Sequence, residues 1–255
     1  MTRDELLQVR GLLTDMDGVW FVGDTPVPGA GAALARLRAR GLPVRFVTNT
    51  TTKTAAQLAA KMNRMGLEVA ADEFVTTPVT TARYLREHGI SSVRLVVADA
   101  IRGEFAGLRE SRHPQAIVIG DVGDAWNFEL MNDLFRTVMG GAAIVAMHKG
   151  RYWQVEDGLR IDIGAIIAGL EYATGTTATV IGKPSGEMFR AALANIGLAA
   201  QNVVMVGDDA HMDVAGAQQA GIRGVLVKTG KYRDDHFAAS GVTPDLILES
   251  IAELP

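Results

Sequence analysis

Two carboxylates separated by one residue end an apolar run near the start of the sequence. Residues 11–20 read GLLTDMDGVW, so Asp15 and Asp17 follow a short run with strand character and precede Gly18. Side chains at positions i and i+2 of an extended backbone project to the same side, so we expect both acids to share one region. Carboxylates about 4 Å apart repel each other by about 4 kcal/mol at the dielectric typical of protein sites. A divalent cation, or a proton held on one of them, would offset that repulsion.

Three further apolar runs also end in polar residues. The run VRFV precedes Thr48 and Asn49, TVIG precedes Lys183, and VVMVG precedes Asp208 and Asp209. In open parallel α/β sheets, ligands bind beyond the carboxyl ends of the strands. Together with the first pair, these residues offer carboxylates, a hydroxyl, an amide and an amine. Phosphoryl transfer uses such a set, because it depends on positioning and on stabilisation of negative charge.

The residue types suggest a role for each acid. Asp15, at the tip of a strand, is placed as a nucleophile, since carboxylates form aspartyl-phosphate intermediates. Asp17 would protonate the leaving oxygen and later accept a proton from the attacking water, which a pKa raised by charged neighbours would favour. Oxygen ligands from Asp15, Asp208 and a backbone carbonyl, completed by water, suit Mg²⁺ better than a soft metal.

The remaining polar side chains have supporting roles in this hypothesis. Thr48 and Asn49 can hydrogen-bond phosphoryl oxygens, and Lys183 can neutralise both the nucleophile and the phosphoryl group. Within GDDAHMD, Asp209 is predicted to be the N-cap of a helix whose first turn contains Asp213. We interpret Asp213 as a residue behind the site that orients the lysine or the water ligands of the metal.

Each of these signals also has a simpler interpretation. DMDG matches the start of a calcium-binding loop, although the later ligands of that loop are absent and a strand precedes the motif. Taken singly, Thr48 could be a strand-end cap, Lys183 a solvated surface lysine, and GDD a helix N-cap. The segment MHKGRYW is either a ligand contact, through His148, or an amphipathic edge. The joint occurrence at four strand ends is what favours a phosphoryl-transfer site.

The elements that must position these residues alternate regularly along the chain. Helix-like segments punctuated by Gly or Pro separate apolar runs that are rich in Val and Ile and are predicted to be strands. In chain order, these runs are GLLT, VRFVT, VRLVVA, AIVIG, AAIVAM, ATVIG, NVVMVG, GVLV and LIL. The alternation predicts an α/β fold with parallel sheets and helices on their faces.

The polar residues at the strand ends divide the chain into two parts. The phosphoryl-transfer set comes from the two ends of the sequence, whereas the strands between them end in a looser set: Asp99, Asp121 and His148. This division predicts a discontinuous core, residues 1–77 and 175–255, with a second α/β domain, residues 78–174, inserted into it.

Composition argues against several classes of protein. The chain has 255 residues, 48% hydrophobic and 21% charged, which is typical of a globular protein of one large or two modest domains. A net charge of −4 without a Lys/Arg cluster argues against nucleic-acid binding. The lack of cysteine excludes disulfides, thiol nucleophiles and zinc-thiolate sites and fits a reducing cytosol. Because no signal peptide or membrane-spanning run is visible, we expect a soluble, cytoplasmic protein with no membrane partner.

The order of the four motifs resembles that of the haloacid dehalogenase-like (HAD) hydrolase superfamily. The motifs are D-x-D-G, T-N, G-K-P and G-D-x-x-x-x-D, and the insert between T-N and G-K-P is similar to the C2-type cap of subclass IIA. The resemblance extends to the stretches WNFELMN, HKGRYW, DGLRIDIGAIIAGLEYATG and VKTGKYR. It implies a Rossmann-like, doubly wound parallel-sheet core with an inserted α/β cap.

The same resemblance implies roles for individual residues. Asp15 would be the nucleophile, Asp17 the acid/base and a metal ligand through its backbone carbonyl, and Asp208 the other metal ligand. Phosphate contacts would be made by three residues: Thr48, Asn49 and Lys183. The resemblance also implies Mg²⁺ as cofactor, a small phosphorylated substrate and a homodimeric assembly.

The stretch DGLRIDIG is similar to the family's substrate-specificity loop, which implies that Ile161, Asp162 and Ile163 lie near the leaving group. Some members of the family carry a non-acidic residue at the position of Asp17. Because this chain keeps the carboxylate, ordinary phosphomonoesters with poorer leaving groups are expected substrates, beside pyrophosphate and phosphoramidates.

Three other functions agree with parts of this pattern. A receiver-like regulatory module also groups Asp, Thr and Lys at strand ends, but it is a single small domain without an Asp two residues after the nucleophile. A true dehalogenase would use the same aspartate on carbon without Mg²⁺, so sensitivity to EDTA separates the two. A non-catalytic binding protein on this scaffold would not need the complete set of motifs.

Overall fold

The computed structural model describes residues 1–155 and 158–255, and its contacts divide the chain into two compact units. Unit 1 comprises Met1–Thr48, Ala55–Val75 and Lys183–Pro255, and unit 2 comprises Asn49–Thr54 and Thr76–Gly182. Each unit therefore combines segments that are distant in sequence.

The strands are numbered in chain order. They are β1 (Gly11–Thr14), β2 (Phe21–Val22), β3 (Thr25–Pro26), β4 (Val44–Thr48), β5 (Phe74–Thr76), β6 (Ser92–Val96), β7 (Arg109–Glu110), β8 (Ala116–Ile119), β9 (Ala143–Ala146), β10 (Tyr152–Val155), β11 (Gly158–Ile161), β12 (Thr179–Val180), β13 (Val203–Gly207), β14 (Arg223–Val227) and β15 (Leu246–Leu248). The α-helices are α1 (Arg3–Leu7), α2 (Ala30–Ala39), α3 (Ala55–Arg64), α4 (Thr77–Glu87), α5 (Phe128–Met139), α6 (Gly164–Thr174), α7 (Gly186–Ile196), α8 (Gly216–Gln219) and α9 (Asp234–Ser240).

Unit 1 is built on a sheet with the strand order β15-β14-β13-β1-β4-β5, in which the pairs from β15 through β4 are parallel. Alternate residues of β13 enter different cores: Val204 and Val206 pack in one apolar cluster, Val203 and Met205 in another. A strand that is buried on both faces reads as a continuous apolar run, because neither face meets water. The carboxyl ends of β1 and β13 lie side by side, with Thr14 paired to Val206.

Unit 2 has its own parallel sheet, with the order β12-β9-β8-β6-β7, and an antiparallel hairpin of β10 and β11. Alternation is again visible in β8, where Ile117 and Ile119 enter one cluster and Ala116 and Val118 another. Asp157, which begins the DGLRIDIG stretch, lies outside the described residues.

Every apolar run that was predicted to be a strand contains one. The TVIG run, which the sequence analysis assigns to the core, forms β12. This strand pairs with β9 in the sheet of unit 2, so Lys183 does not follow a strand of unit 1's sheet. The apolar pattern of a short strand predicts its conformation and not its neighbour.

Contacts also group residues 49–54 and 175–182 with unit 2, whereas the sequence-based boundaries count them with the core. The β12–β9 pairing places residues 175–182 in unit 2. The Asp121 N–H donates to Thr51 Oγ1 at 3.1 Å, which connects residues 49–54 to the same unit. None of the helices described by the structure combines the length and apolarity needed to cross a bilayer.

Candidate active site

Asp15 lies at the carboxyl end of the central strand of unit 1. The ladder between β1 and β13 extends one residue beyond the strand, since the Asp15 N–H donates to the carbonyl of Val206 at 2.9 Å. The carboxylate is half-buried, and its Oδ1 accepts a hydrogen bond from the Met16 N–H at 2.8 Å. Because β13 ends at Gly207, this pairing brings Asp15 and Asp208 to the same edge of the sheet.

Lys183 reaches this edge from the loop before α7. Its Nζ lies 2.9 Å from Oδ1 of Asp15 and 2.6 Å from Oδ1 of Asp213, and its side chain is only 2% exposed. Burial by itself would lower the pKa of Lys183, but the carboxylates of Asp15 and Asp213 raise it, and the net pKa is raised. The lysine is therefore held in its charged form.

Asp213 stands behind the lysine. It is fully buried, and while Oδ1 contacts Lys183, Oδ2 accepts a hydrogen bond from the N–H of Asp209 at 3.1 Å. Burial raises the pKa of Asp213, and the charge of Lys183 acts in the opposite direction. Both carboxylate oxygens thus have partners, which is the arrangement expected of a residue that orients Lys183.

Asp209 caps the helical segment that carries Asp213, as predicted. Its side chain accepts hydrogen bonds from the N–H groups of His211 and Met212, both at 3.0 Å. The segment Ala210–Ala215 is a π-helical turn that leads into α8. Turns of this kind are frequent at functional sites.

Asp208 is the carboxylate whose bonding is incomplete. It is 2% exposed, and its Oδ2 accepts a hydrogen bond from the N–H of Lys231 at 2.7 Å. Its Oδ1 is buried and has no hydrogen-bond partner in the described part of the chain. Burial, followed by the charges of Asp15 and Asp213, raises the pKa of Asp208 well above its usual range. A buried carboxylate oxygen in this condition has bonding capacity left for a cation or a water molecule.

The donor set suits a hard divalent cation. Asp15, Asp208 and Asp213 each offer a carboxylate oxygen, and these atoms all lie within 4.8 Å of one another. Oxygen donors of this kind are what Mg²⁺ and Ca²⁺ prefer. Because both oxygens of Asp213 already have partners, Asp15 and Asp208 are the members best able to bind a cation directly.

Asp17 lies on the turn that follows β1. The Gly18 N–H donates to the carbonyl of Phe21 at 2.7 Å, which closes a tight turn before the β2–β3 hairpin. Although the Asp17 side chain is exposed, the protein atoms around it raise its pKa by desolvation, and the charge of Asp15 raises it further. The charge of Asp15 therefore acts on Asp17 within the DMDG motif.

Two glycines, Gly18 and Gly230, enclose the Asp208 carboxylate, a role that the sequence did not indicate. A Cβ on Gly18, where φ is +83°, would lie 1.9 Å from Oδ2 of Asp208, and one on Gly230, where φ is +59°, would lie 2.1 Å from it. The Thr229 hydroxyl also donates to the carbonyl of Gly18. The signal was present in the TGK of VKTGKYR, but nothing in that stretch indicates which strand end it meets.

The remaining predicted residues lie in different parts of the molecule. Thr48 is buried at the end of β4, the strand beside β1 in unit 1. Asn49 belongs to unit 2, where its Oδ1 lies 3.5 Å from the Thr77 hydroxyl. A Cβ on Gly182 would come within 2.5 Å of the same Oδ1, so Asn49 is closely packed.

Asp162 lies in unit 2 where two loops contact each other. Its Oδ1 accepts from the Ile163 N–H at 2.7 Å, and its Oδ2 lies 3.8 Å from Nδ1 of His148. A Cβ on Gly150 would fall 2.2 Å from Oδ2, so the HKG segment packs directly against this carboxylate. Ile161 is 73% exposed, whereas Ile163 is 3% exposed and belongs to the core of unit 2. Ile161 and Asp162 are therefore the accessible members of the predicted loop.

Family models match both ends of the chain. A model described as haloacid dehalogenase-like hydrolase matches residues 12–109, and one described as HAD-hydrolase-like matches residues 180–254. Between them they cover the segments that carry Asp15, Thr48, Lys183 and Asp208.

Relatives of known name match nearly the whole chain. Haloacid dehalogenase-like hydrolase domain-containing protein 2 from Bos taurus is 42% identical over 242 residues, which cover 95% of this chain and 93% of the relative. Phospholysine phosphohistidine inorganic pyrophosphate phosphatase from Homo sapiens is 37% identical over 255 residues, which cover 97% and 93%.

Solved structures agree with these relatives. The p-nitrophenyl phosphatase from Archaeoglobus fulgidus has a TM-score of 0.90 and 31% identity, with 97% of this chain and 98% of that chain covered. The glycerol phosphate phosphatase from Mycobacterium tuberculosis, in complex with magnesium, has a TM-score of 0.87 and 28% identity, with 98% and 77% covered. Motif order, fold and relatives of this coverage agree: the chain belongs to the haloacid dehalogenase-like hydrolase superfamily, among its subclass IIA phosphatases.

Proposed function

We propose that this chain is a Mg²⁺-dependent phosphohydrolase that acts through an aspartyl-phosphate intermediate on small phosphorylated compounds. The observation that carries the proposal lies at the carboxyl edge of unit 1's sheet. There Lys183 Nζ holds Asp15 Oδ1 at 2.9 Å, and a buried oxygen of the neighbouring Asp208 has no hydrogen-bond partner within residues 1–155 and 158–255. An oriented carboxylate is what a nucleophile requires, and an incompletely bonded one is what a cation site requires.

In the first step, a carboxylate oxygen of Asp15 attacks phosphorus, and the bond between phosphorus and the leaving oxygen breaks. Asp17 donates a proton to the leaving oxygen, a task that its raised pKa favours. Three side chains contact the phosphoryl oxygens in this proposal: Thr48, Asn49 and Lys183. The raised pKa of Lys183 keeps its positive charge available throughout.

In the second step, water attacks the phosphorus of the aspartyl-phosphate. Asp17, now anionic, accepts a proton from that water, and the bond between phosphorus and the Asp15 oxygen breaks. Inorganic phosphate leaves, and both acids return to their starting protonation states. Asp213 and Asp209 serve this cycle indirectly, because Asp213 orients Lys183 and Asp209 holds the helical turn that carries Asp213.

Mg²⁺ would be held by the carboxylates of Asp15 and Asp208 and by the backbone carbonyl of Asp17. When bound, it supplies positive charge that stabilises the developing charge of the transferring phosphoryl group. The oxygen-only donor cluster supports a hard divalent cation, and the mycobacterial relative is known in complexes with magnesium and with calcium.

We assign the role of cap to unit 2. A cap excludes bulk water while the aspartyl-phosphate awaits its one attacking water molecule. Within the cap, Asp162 would contact the leaving group. The expected assembly is a homodimer, and gel filtration with light scattering measures its mass.

The names of the relatives support a small phosphorylated substrate. Phosphomonoesters are indicated by the p-nitrophenyl and glycerol phosphate phosphatases, and pyrophosphate and phosphoramidates by the human relative. Phosphomonoesters are favoured here, because Asp17 can protonate a poor leaving group.

The test is release of inorganic phosphate from a panel that contains p-nitrophenyl phosphate, glycerol phosphate, pyrophosphate, phosphohistidine and nucleotides. Each reaction is run with Mg²⁺, with EDTA, and with Asp15→Asn. We expect turnover that requires both Mg²⁺ and Asp15. Turnover that persists in EDTA, or in the folded variant, would contradict the proposal.

A further inference from the structure

The loop after β14 is tied to the candidate active site at three points. The N–H of Lys231 donates to Oδ2 of Asp208 at 2.7 Å, and the Thr229 hydroxyl donates to the carbonyl of Gly18. Gly230 packs so closely that a Cβ on it would lie 2.3 Å from Cα of Gly18. The backbone of Lys231 is therefore fixed relative to the carboxylate cluster, and its side chain begins at the edge of the site.

The charge of Lys231 acts on that cluster. Burial against neighbouring atoms would lower the pKa of Lys231, but four carboxylates raise it, and the net pKa is raised; these are Asp15, Asp208, Asp209 and Asp213. The effect is mutual, since Lys231 is among the groups that lower the pKa values of Asp17 and Asp208. The geometry agrees with this, because the backbone N–H of Lys231 is bonded to Asp208 and its side chain starts beside the cluster.

Other lysines of unit 1 have specific partners. Lys183 is buried between two carboxylates, Lys61 donates to the carbonyl of Gly23 at 2.7 Å, and Lys228 donates to Glu249 at 2.7 Å. In the described part of the chain, the ammonium of Lys231 forms no ion pair, and the side chain is exposed. Its donors remain available to a ligand that enters the site.

The excess of negative charge at the site favours an additional cationic donor such as Lys231. The carboxylates at this edge outnumber Lys183, and a divalent cation offsets only part of the excess. A phosphate monoester brings further negative charge to the same place. A cationic side chain at the entrance raises the local concentration of an anionic ligand and stabilises it once bound.

We propose that Lys231 is a second cationic contact for the phosphate group of the substrate, beside Lys183. This inference rests on the proposed function, because it assigns a further residue to the same phosphate site. The loop then has two tasks: its backbone orients Asp208 toward the cation site, and its side chain binds the phosphate dianion. As a flexible ammonium group, Lys231 acts mainly as a point charge.

The test compares Lys231→Met, Lys231→Arg and Lys228→Met. The last variant removes the same charge from the same loop, but from a lysine that pairs with Glu249 at the surface. Two readouts are used: the Kd of inorganic phosphate by isothermal titration in saturating Mg²⁺, and the separate kcat and KM values for p-nitrophenyl phosphate.

We expect Lys231→Met to weaken phosphate binding and raise KM by about tenfold, the factor equivalent to about 1.4 kcal/mol. The kcat value should change by less than about threefold, since the metal, Asp15 and Lys183 are retained. Lys231→Arg should recover most of the affinity, and Lys228→Met should leave both constants within about twofold of the wild type.

Unchanged phosphate Kd and KM in Lys231→Met would overturn the assignment, and so would an equal loss in Lys228→Met, which would indicate only a general effect of net charge. A loss confined to thermal stability would also overturn it, by making Lys231 a structural counter-charge. If the wild-type protein neither binds inorganic phosphate nor releases it from a substrate, both the proposed function and this inference fail. If the wild-type protein is active and the Lys231→Met variant is unaffected, this inference alone fails.

Discussion

Both parallel sheets of this chain have acids or histidine at strand ends, but among the residues that the structure describes, a carboxylate cluster forms at the sheet of unit 1 alone. In unit 2, Asp121 follows β8 and its Oδ1 accepts from the nearby Gly123 N–H at 2.8 Å. His148 follows β9, and its Nδ1 accepts from the Gly150 N–H at 3.1 Å. Each of these side chains accepts a hydrogen bond from a backbone N–H two residues farther along the chain. In unit 1, by contrast, Asp15, Asp208 and Asp213 converge, and one buried oxygen, Oδ1 of Asp208, has no hydrogen-bond partner among the described residues.

The difference is not one of fold, because both sheets have the same architecture and similar strand-end chemistry. A polar group that its own turn binds is stabilised locally and does not need a ligand to offset its burial. A group held close to like charges, with its bonding incomplete, is unstable until a cation or substrate arrives. Function on this scaffold therefore follows the specific side chains rather than the fold.

The largest expected effect is a loss of activity when Asp15, after β1, is substituted but not when Asp121, after β8, is substituted. Asp15→Asn should reduce phosphatase activity by at least about 10³-fold, since it removes the nucleophile. Asp121→Asn changes the same functional group at a strand end of the other sheet, and its amide oxygen can still accept from Gly123. We expect its activity to stay within about twofold of the wild type. Initial rates on p-nitrophenyl phosphate measure both, and equal losses would remove the distinction between the two sites.

A second prediction concerns Asp208→Asn, which should weaken Mg²⁺ binding but raise the unfolding temperature of the metal-free protein. The variant should bind Mg²⁺ about 10²-fold more weakly or worse, because a charged ligand is lost. In EDTA, however, it should unfold about 2–4 °C higher than the wild type, as expected for relief of about 1 kcal/mol in a chain of this size. The buried carboxylate, repelled by Asp15 and Asp213, is costly when no cation is present.

Thermal unfolding in EDTA and in Mg²⁺ tests this second prediction, since bound metal stabilises only the protein that binds it. A lower midpoint for Asp208→Asn in EDTA would mean that the carboxylate is satisfied without a cation. Asp121→Asn again serves as the control, and its midpoint should respond to Mg²⁺ as the wild type does.

The third prediction tests whether the glycines enclose Asp208. Gly18→Ala would place a Cβ 1.9 Å from Asp208 Oδ2, so the carboxylate must move, and a displacement of about 1 Å can cost about 10²-fold in rate. Gly23→Ala is the matched control, because φ is +61° there but nothing lies within 4 Å of the added Cβ. It should cost about 1–2 kcal/mol of stability and leave kcat unchanged. Similar kcat values for the two variants would show that the close approach at Gly18 is unimportant.

The smallest expected effect lies in unit 2. Asp162→Ala should change the ratio of kcat/KM between p-nitrophenyl phosphate and glycerol phosphate by about threefold to tenfold, while the Mg²⁺ concentration for half-maximal rate stays constant. Asp99→Ala, an exposed acid of the same unit, should change neither quantity. A fixed substrate ranking in Asp162→Ala would refute the assignment of this loop to the leaving group.

Much of this arrangement follows from the sequence alone. Each apolar run contains a strand, and the charge of Asp15 acts on Asp17 two residues away, an interaction between near neighbours in sequence. The N-cap role of Asp209 could also be predicted, since it depends on atoms within three residues. Motif order was sufficient to indicate the family.

Other features were decided only by the tertiary structure. Lys183 reaches Asp15 from a loop, after a strand that pairs in the other sheet, and the TGK segment closes on Asp208 from residues that are close to it only in space. The partners in these contacts are about 20 to 200 residues apart in sequence. Local patterns encode conformation and the direction of side chains, whereas strand partners and the approach of distant loops depend on packing of the whole unit. The sequence therefore specified the chemical groups of the site, and the fold determined which of their atoms were left unsatisfied.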